Sequence, residues 1–393
     1  MALLVAIVIL LVADGATVVA RRDGAGAPGA SRPGSVLPTE KQSSALERTL
    51  PELRAFVEEA RGLRFRQPPD VRLLSDAAFV AKLQEDESAT AADDAADPAD
   101  EAAYVRFLQA LGLLGGDLDL DALAEAEVDS VVGFYDSQTG ALYVRGAELT
   151  PYVREVLVHE LTHALDDQHF ELDPTFLEQE DPGDESGTAF EALVEGSAMV
   201  VEDRWFDSRP ADERAAIEEA EGAGAPADDE DTVPDLFDAL FSFPYVVGPE
   251  FVRAVLDAGG QDRLAEAFAQ PPVTSEHILH PDRFLAGEGA RAVARPSSDS
   301  RAIDRGVLGE LGLLVMLERA VDHDVAVRAA DGWGGDSYVA WNDDRGRTCV
   351  RTNFVMDTPR DTTELSAALR AWASRNPGAT VSGTSTVVVT NCR

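Results

Sequence analysis

Lysine is almost absent from this 393-residue chain. Lys41 and Lys82 are the only two, and arginine supplies the rest of its 33 basic residues. Against them stand 72 acidic residues, a net charge of -39. A chain so poor in positive charge is repelled by phosphate backbones and anionic membrane surfaces, which argues against nucleic acid as a partner. Such a surface stays soluble at high ionic strength, where screening relieves self-repulsion. A salt-adapted setting is therefore expected ahead of a role in binding a charged substrate. Cysteine is scarce as well. Cys349 and Cys392 are too few for a disulfide scaffold and lack the spacing of a zinc knuckle. The count alone leaves two thiols or one disulfide of an extracytoplasmic domain. Internal repeats are missing, which excludes solenoids and propellers. Hydrophobic residues, at 45%, are sufficient for a sizeable core.

The N-terminus is apolar from Ala2 to Val12, is interrupted by Asp14 and Gly15, and resumes from Ala16 to Ala20 before Arg21-Arg22. The first run has the length of a signal-peptide core, and the two together just reach a bilayer span. No basic residue precedes the run, and Val18-Val19-Ala20 is a weak cleavage site. The expected organisation is a signal or membrane anchor over 1–20, a flexible Gly/Ala/Pro/Ser linker over 21–43, a main domain over 44–325 and a C-terminal α/β element over 326–393 packed on it. The fold class expected is α+β and mainly helical.

Within the main domain, Leu46, Leu50, Leu53 and Val57 recur at helical spacing. Val71 to Leu74 reads as a strand, residues 85–101 as an acidic loop or frayed helix, and Tyr104 to Leu114 as a helix. Val131 to Tyr135 and Ala141 to Val144 flank turn chemistry at Asp136 to Gly140, which predicts a β-hairpin. Thr150 and Pro151 then form an N-cap and first helical residue. Further on, Arg209 to Asp231 reads as an exposed acidic insertion, and Asp304 to Val321 as a helix. The C-terminus reads strand (Cys349 to Met356), helix (Asp361 to Ser374), strand (Thr386 to Cys392). A β-α-β return would set those strands side by side, so a Cys349–Cys392 disulfide is expected.

The helix opened by Thr150 carries His159-Glu160-Leu161-Thr162-His163, an H-E-x-x-H motif. Histidines at i and i+4 share one helix face, close enough for one cation, and neutral imidazole suits Zn2+. The glutamate beside the first histidine is the general base of such a site. Val153, Leu157, Leu161 and Leu165 form an apolar stripe roughly opposite. The helix is thus expected to pack on one side and present its ligands on the other.

Three residues compete for the third ligand. Thr188 and Glu191 have the spacing of a capping box, which gives Glu191 a task at a helix start. Glu195 lies one turn further on, followed by Gly196 and Ala198, small residues that admit a close neighbour; it is the favoured ligand. A glycine inside a helix costs about 1 kcal/mol relative to alanine, so close approach would explain it. His169 stands where an extended H-E-x-x-H-x-x-G-x-x-H motif has its last histidine, but Asp166 replaces the glycine that turns the chain. On a continuing helix His169 points about 120° away from His163.

With Glu195, the pattern is similar to gluzincin metallopeptidases. His159 to Phe170 more closely resembles an exported bacterial and archaeal family with the pattern H-E-L-x-H-A-L-Q-D-Q-H-F. Ala192 to Ala198 resembles its A-L-x-E-G-x-A segment, Ser275 to Pro281 its S-E-Q-x-L-H-P, and Gly332 to Asp336 its G-W-G-G-D. The resemblance runs from about residue 45 to the end and departs at Asp166 and His277, both glutamine in the family. It implies a zincin-like fold with the hairpin ahead of the active-site helix, a Zn2+ site of His159, His163 and Glu195, and Glu160 as base. By the same analogy the hairpin would pair with an extended peptide, and His280 would donate to the oxyanion; the other reading of His280 is a helix-start residue before Pro281. Trp333 and Asp336 receive no catalytic role and are read as packing and a turn around three glycines. The activity implied is zinc-dependent hydrolysis of peptides or unfolded protein outside the cytoplasm. An aminopeptidase or amidase, or a metal-stabilised non-catalytic envelope protein, are the alternatives.

Overall fold

The structure is a computed structural model describing residues 16–18, 40–83, 98–115, 128, 131–146, 148–172, 185–224 and 235–393. The expected anchor and linker lie outside these residues, apart from Ala16–Val18 and the first turn of helix α1. The acidic run of 85–101 lies outside them up to residue 97. The fold is α+β with two small sheets.

The first sheet borders the motif helix. Its strands are β1 (Ala16–Val18), β2 (Asp70–Leu74), β3 (Gly133–Asp136) and β4 (Ala141–Arg145), in the order β1-β3-β4-β2. β3 and β4 form the expected antiparallel hairpin. Its turn is closed by Asp136, whose carboxylate accepts from the Thr139 amide at 3.0 Å and the Thr139 hydroxyl at 2.6 Å. Gly140 follows with φ +67°, a conformation that glycine adopts without a Cβ clash. β1 lies antiparallel along the outer edge of β3, with Thr17 opposite Tyr135. β2 joins β4 in parallel.

Helices α1 (Glu40–Arg61), α2 (Pro98–Ala110), α3 (Pro151–Phe170), α4 (Ser186–Asp207), α5 (Ala211–Gly224), α6 (Asp235–Val246) and α7 (Gly248–Ala269) make the body of the molecule. α3 begins as expected: the Thr150 hydroxyl accepts from the Val153 amide, 3.1 Å, and Pro151 leads the first turn. It ends at Glu171, in the left-handed region at φ 57°. Leu157, Leu161 and Leu165 are buried in a cluster with Leu53 and Val57 of α1 and Leu142 and Val144 of β4. The expected open face is absent, however. Every residue of α3 from Glu155 to Asp166 is buried, because α4 covers the side that bears the histidines.

α4 crosses α7 at a glycine-to-glycine contact. A Cβ on Gly196 would lie 3.0 Å from Gly248 Cα and closer still to the Gly248 carbonyl, so only glycine fits. The close neighbour expected from Gly196 is therefore α7. Two local expectations are corrected. α4 starts at Ser186, with Glu185 as its N-cap residue, so Thr188 is already helical and forms no capping box with Glu191. The segment expected as an exposed insertion contains α5, which packs on α3 and buries Ile217 completely.

The C-terminal part is more than a β-α-β element. After the short α8 (Ser275–Leu279) and α9 (Pro281–Ala286) come β5 (Ala302–Gly306), α10 (Gly309–Glu318), α11 (His323–Ala330), β6 (Trp333–Asn342), β7 (Thr348–Met356), α12 (Pro359–Arg375), β8 (Thr380–Ser382) and β9 (Val387–Cys392). The strands form one antiparallel sheet in the order β5-β6-β7-β9-β8. This sheet draws its first strand from upstream of residue 326, where the sequence suggested only helix. The glycine-rich Gly332 to Asp336 segment opens the long strand β6 instead of a turn. β7 and β9 run antiparallel with Cys349 opposite Cys392, and the two form the expected disulfide. One core cluster runs from α2 and α4 through α7 and α10 to Trp333, Tyr338, Phe354 and Trp372, so sheet and helices share an interior. Residues 239–269 are long and apolar enough to cross a membrane by length and composition, but Phe243, Phe251, Val252 and Val255 there are core residues.

Candidate metal centre

α3 and α4 pack side by side, and their contact brings three metal-ligating side chains together. His159, His163 and Glu195 each place a ligand atom within 4.8 Å of the other two. His159 Nε2 is 3.1 Å from Glu195 Oε2, and His163 Nε2 is 3.5 Å from the same oxygen. The imidazole rings stand 4.6 Å apart, centre to centre, at 71°. All three residues are within 1% of complete burial. Two of their polar atoms, His163 Nε2 and Glu195 Oε1, have no hydrogen-bond partner among the described residues. Buried polar atoms are rarely left so, because each lost hydrogen bond costs about 1–3 kcal/mol. Two imidazole nitrogens and a carboxylate, orphaned and convergent, fit a Zn2+ ion by donor chemistry.

Electrostatics follow from this closeness. Burial pulls the His159 ring toward its neutral form. The hydrogen bonds and charges of Glu195 and Glu202 outweigh it and push its pKa up to about 10. Burial holds His163 below the ordinary histidine value. Burial raises the Glu195 carboxylate, but the two imidazoles prevail and hold it below the ordinary value.

Glu160 completes the group. It is fully buried, and among the described residues no side chain hydrogen-bonds its carboxylate, which the Tyr135 backbone approaches. Burial pushes its pKa well above the usual carboxylate range against the opposing charge of His159, and Glu195 and Glu202 add to the rise. β3 lies directly over it. A Cβ on Gly133 would come 3.2 Å from Glu160 Oε1 and 2.8 Å from Val156 Cγ1, so glycine at this position lets the strand approach the carboxylate.

Two contributions escaped sequence reasoning. Glu202 Oε2 accepts from His159 Nδ1 at 2.7 Å, which fixes the ring and directs Nε2 toward Glu195. Its signal was available: Glu202 lies seven residues after Glu195, two turns along the same helix face. The other is Arg61. It is buried and makes an ion pair with Asp166, Nη2 to Oδ1 at 2.8 Å, while the Ser197 hydroxyl donates to Asp166 Oδ2 at 2.7 Å. Asp166, the departure from the family pattern, thus ties α1, α3 and α4 together three residues beyond His163.

The remaining candidates lie elsewhere. His169 Nε2 donates to the Arg64 carbonyl at 2.9 Å and does not join the metal group. Glu191 is buried near the start of α4 and is not part of the group either. His280 Nε2 meets Glu310 Oε1 at 2.9 Å, in a polar cluster around Glu185 and outside the group of three ligands. Glu185 is ten residues from Glu195, about 15 Å along the helix. Pro281 does begin a helix after His280, as the other reading had it.

Residues 297–392 match the model of a domain of unknown function (DUF8575). No curated protein matches the chain, and no solved structure does. The matched segment lies outside α3 and α4, so a functional reading of the metal group rests on its own geometry.

Proposed function

We propose that this protein is a zinc-dependent, zincin-like hydrolase of peptide bonds, with His159, His163 and Glu195 as metal ligands and Glu160 as general base. One observation carries the reading: three convergent, buried ligand side chains stand beside a buried carboxylate that no side chain among the described residues hydrogen-bonds. A bound Zn2+ would supply Lewis acidity, polarising the scissile carbonyl and making a water acidic near neutral pH. Glu160 takes the proton of the attacking water and passes it to the leaving amine. Glu202 keeps the proton on His159 Nδ1, so only the Nε2 proton that Glu195 holds here would leave on metal binding. The edge of β3 is where an extended peptide would pair, in place of β1, which occupies it here. The apolar N-terminus favours a location outside the cytoplasm, anchored or exported.

A second reading has its own observation. His159, Glu160, His163 and Glu195 are all shielded from solvent, as in a metal-stabilised protein with no catalytic task. Substitution separates the two. In a peptidase, Glu160→Gln retains zinc and loses hydrolysis of casein, because only proton transfer is affected. In either reading Glu195→Ala loses zinc, Glu202→Gln weakens zinc binding by about 10–100-fold, and His169→Ala changes neither. Metal analysis and a casein digest on the same preparations provide the measurement. Wild-type protein that carries zinc without cleaving any peptide supports the second reading, and Glu195→Ala protein with full zinc content rejects both.

A further inference from the structure

The Ser275 to Pro281 and Gly332 to Asp336 segments, unused by the metal centre, meet at a second buried polar node. Ser275 opens α8; its hydroxyl donates to Glu185 Oε2 and accepts from the Leu311 amide at 3.0 Å. Glu185 is the N-cap residue of α4, the helix that bears Glu195 and Glu202. Its carboxyl group fills the space where a Cβ on Gly309 would stand, at the start of α10. Asp336 of β6 accepts from the Leu308 amide at 2.9 Å, the Gly309 amide at 3.0 Å and Trp333 Nε1 at 3.0 Å. Glu310 of α10 meets His280 through Oε1.

The node has too many carboxyl groups for its cations. Arg283 is engaged by Glu276, Asp357 and Asp331, and His280 by Glu310, with Asp331 3.9 Å away. Among the described residues no cationic side chain makes an ion pair with Glu185, which is buried, and its Oε1 has no hydrogen-bond partner. An ionised carboxylate in that position would be uncompensated, whereas a protonated one is tolerated.

We propose that this node is a proton-operated clasp between α4 and the C-terminal sheet, closed while Glu185 holds its proton and loosened when it ionises. Ser275 of α8, Gly309 and Glu310 of α10 and Asp336 of β6 are the groups that face Glu185. Glu276, His280, Arg283, Asp331 and Asp357 form the rim. The electrostatic direction agrees. Burial pushes Glu185 up to about 8, against the Ser275 hydrogen bonds, with the charges of Asp336 and Glu310 adding to the rise. Burial likewise raises Asp336 to about 7 against its three donors, and Glu276 to about 7 against Arg283. A raised carboxyl means that the folded state binds its proton more tightly than the unfolded chain. Stability therefore falls as pH rises from the unfolded value, near 4.5, to the folded one, and levels off beyond it. Ordinary carboxylates are fully charged above pH 6, and Glu160 of the metal centre is the other strongly raised carboxyl, so the part of the slope between pH 6 and 9 that Glu185→Gln removes belongs to this node.

The test is calorimetric melting of the full chain from pH 5 to 10, for wild type, Glu185→Gln and Glu310→Gln. The amide in Glu185→Gln mimics the protonated acid. That variant should flatten the alkaline decline and melt on the order of 3–5 °C above wild type at pH 9. In wild type, exchange of amides in 186–190 and 309–313 should accelerate above pH 8, after correction for intrinsic rates, while β3 and β4 stay protected. If Glu185→Gln does not fold, Glu310→Gln decides: removing the neighbouring charge should move the wild-type decline to lower pH. Melting curves for Glu185→Gln that run parallel to wild type at every pH, or a decline that Glu310→Gln leaves in place, would overturn the clasp.

Discussion

Residues 297–392 carry ten arginines against thirteen acidic side chains, a net charge of -3, while the other 297 residues carry 23 basic against 59 acidic, a net of -36. The acidic excess is therefore a property of the helical part with the candidate metal centre and its connecting segments, and the C-terminal sheet folds almost without it. The two regions are also held differently. The sheet is assembled from antiparallel strand pairs and clamped by one disulfide. The helical part depends on helix crossings between residues far apart in sequence, at Gly196 against Gly248 and at Arg61 with Asp166. Its candidate ligands converge only if those crossings are in place.

The strongest challenge to this contrast is removal of the disulfide. Cys349 and Cys392 are 43 residues apart, and the chain-entropy account gives about 3–4 kcal/mol for closing such a loop. Because one core cluster runs from the sheet into α4 and α7, Cys349→Ser/Cys392→Ser should lower a single calorimetric transition. Two resolved transitions would mean that the regions are more independent than their shared core implies.

The glycine crossing comes next. Gly196→Ala sets a methyl group against Gly248 backbone, where no side chain can yield. Overpacking of this kind costs about 1–3 kcal/mol, and here the upper end is expected in urea denaturation. Glu195 is the adjacent residue, so zinc affinity should fall as well. A stable Gly196→Ala variant with unchanged zinc affinity would show that α4 can shift along α7 without harm to the centre.

Salt should have the smallest effect and sharpens the charge contrast. Screening relieves repulsion where acidic charge is concentrated. From low to molar salt, melting temperature should rise by a few degrees, on the order of 3–5 °C for 1–2 kcal/mol. Hydrogen exchange should slow in α1 and α5 more than in β6 and β7. A flat melting temperature removes the salt-adaptation reading.

Legibility followed the range of each interaction. The hairpin Gly133–Asp136 with Ala141–Arg145 was readable because turn residues and strand residues alternate within a dozen positions. β5 was misread because Asp304 and Arg305 adjoin the apolar residues of α10, and helical spacing there extends backward past Gly306. β6 was missed because Gly332, Gly334 and Gly335 at its start carry a turn signal that only β7, pairing along its length, overrides. The Glu310 partner of His280 was not readable because a histidine before a proline has no preference for one acidic partner over another until α10 places Glu310 beside it.

By itself the sequence determined the start of α3 at Thr150 and Pro151. It also determined that His159 and His163 share a face, and that Glu160 stands next to the first of them. Capping and the 3.6-residue period are local, and they act before any distant contact forms. The tertiary structure alone decided which carboxylate of α4 meets those histidines, that Glu202 holds the far side of His159, and that Glu185 gathers two distant segments into a second node. α4 offers Glu191, Glu195 and Glu202, and only the angle and depth at which two helices pack selects among them.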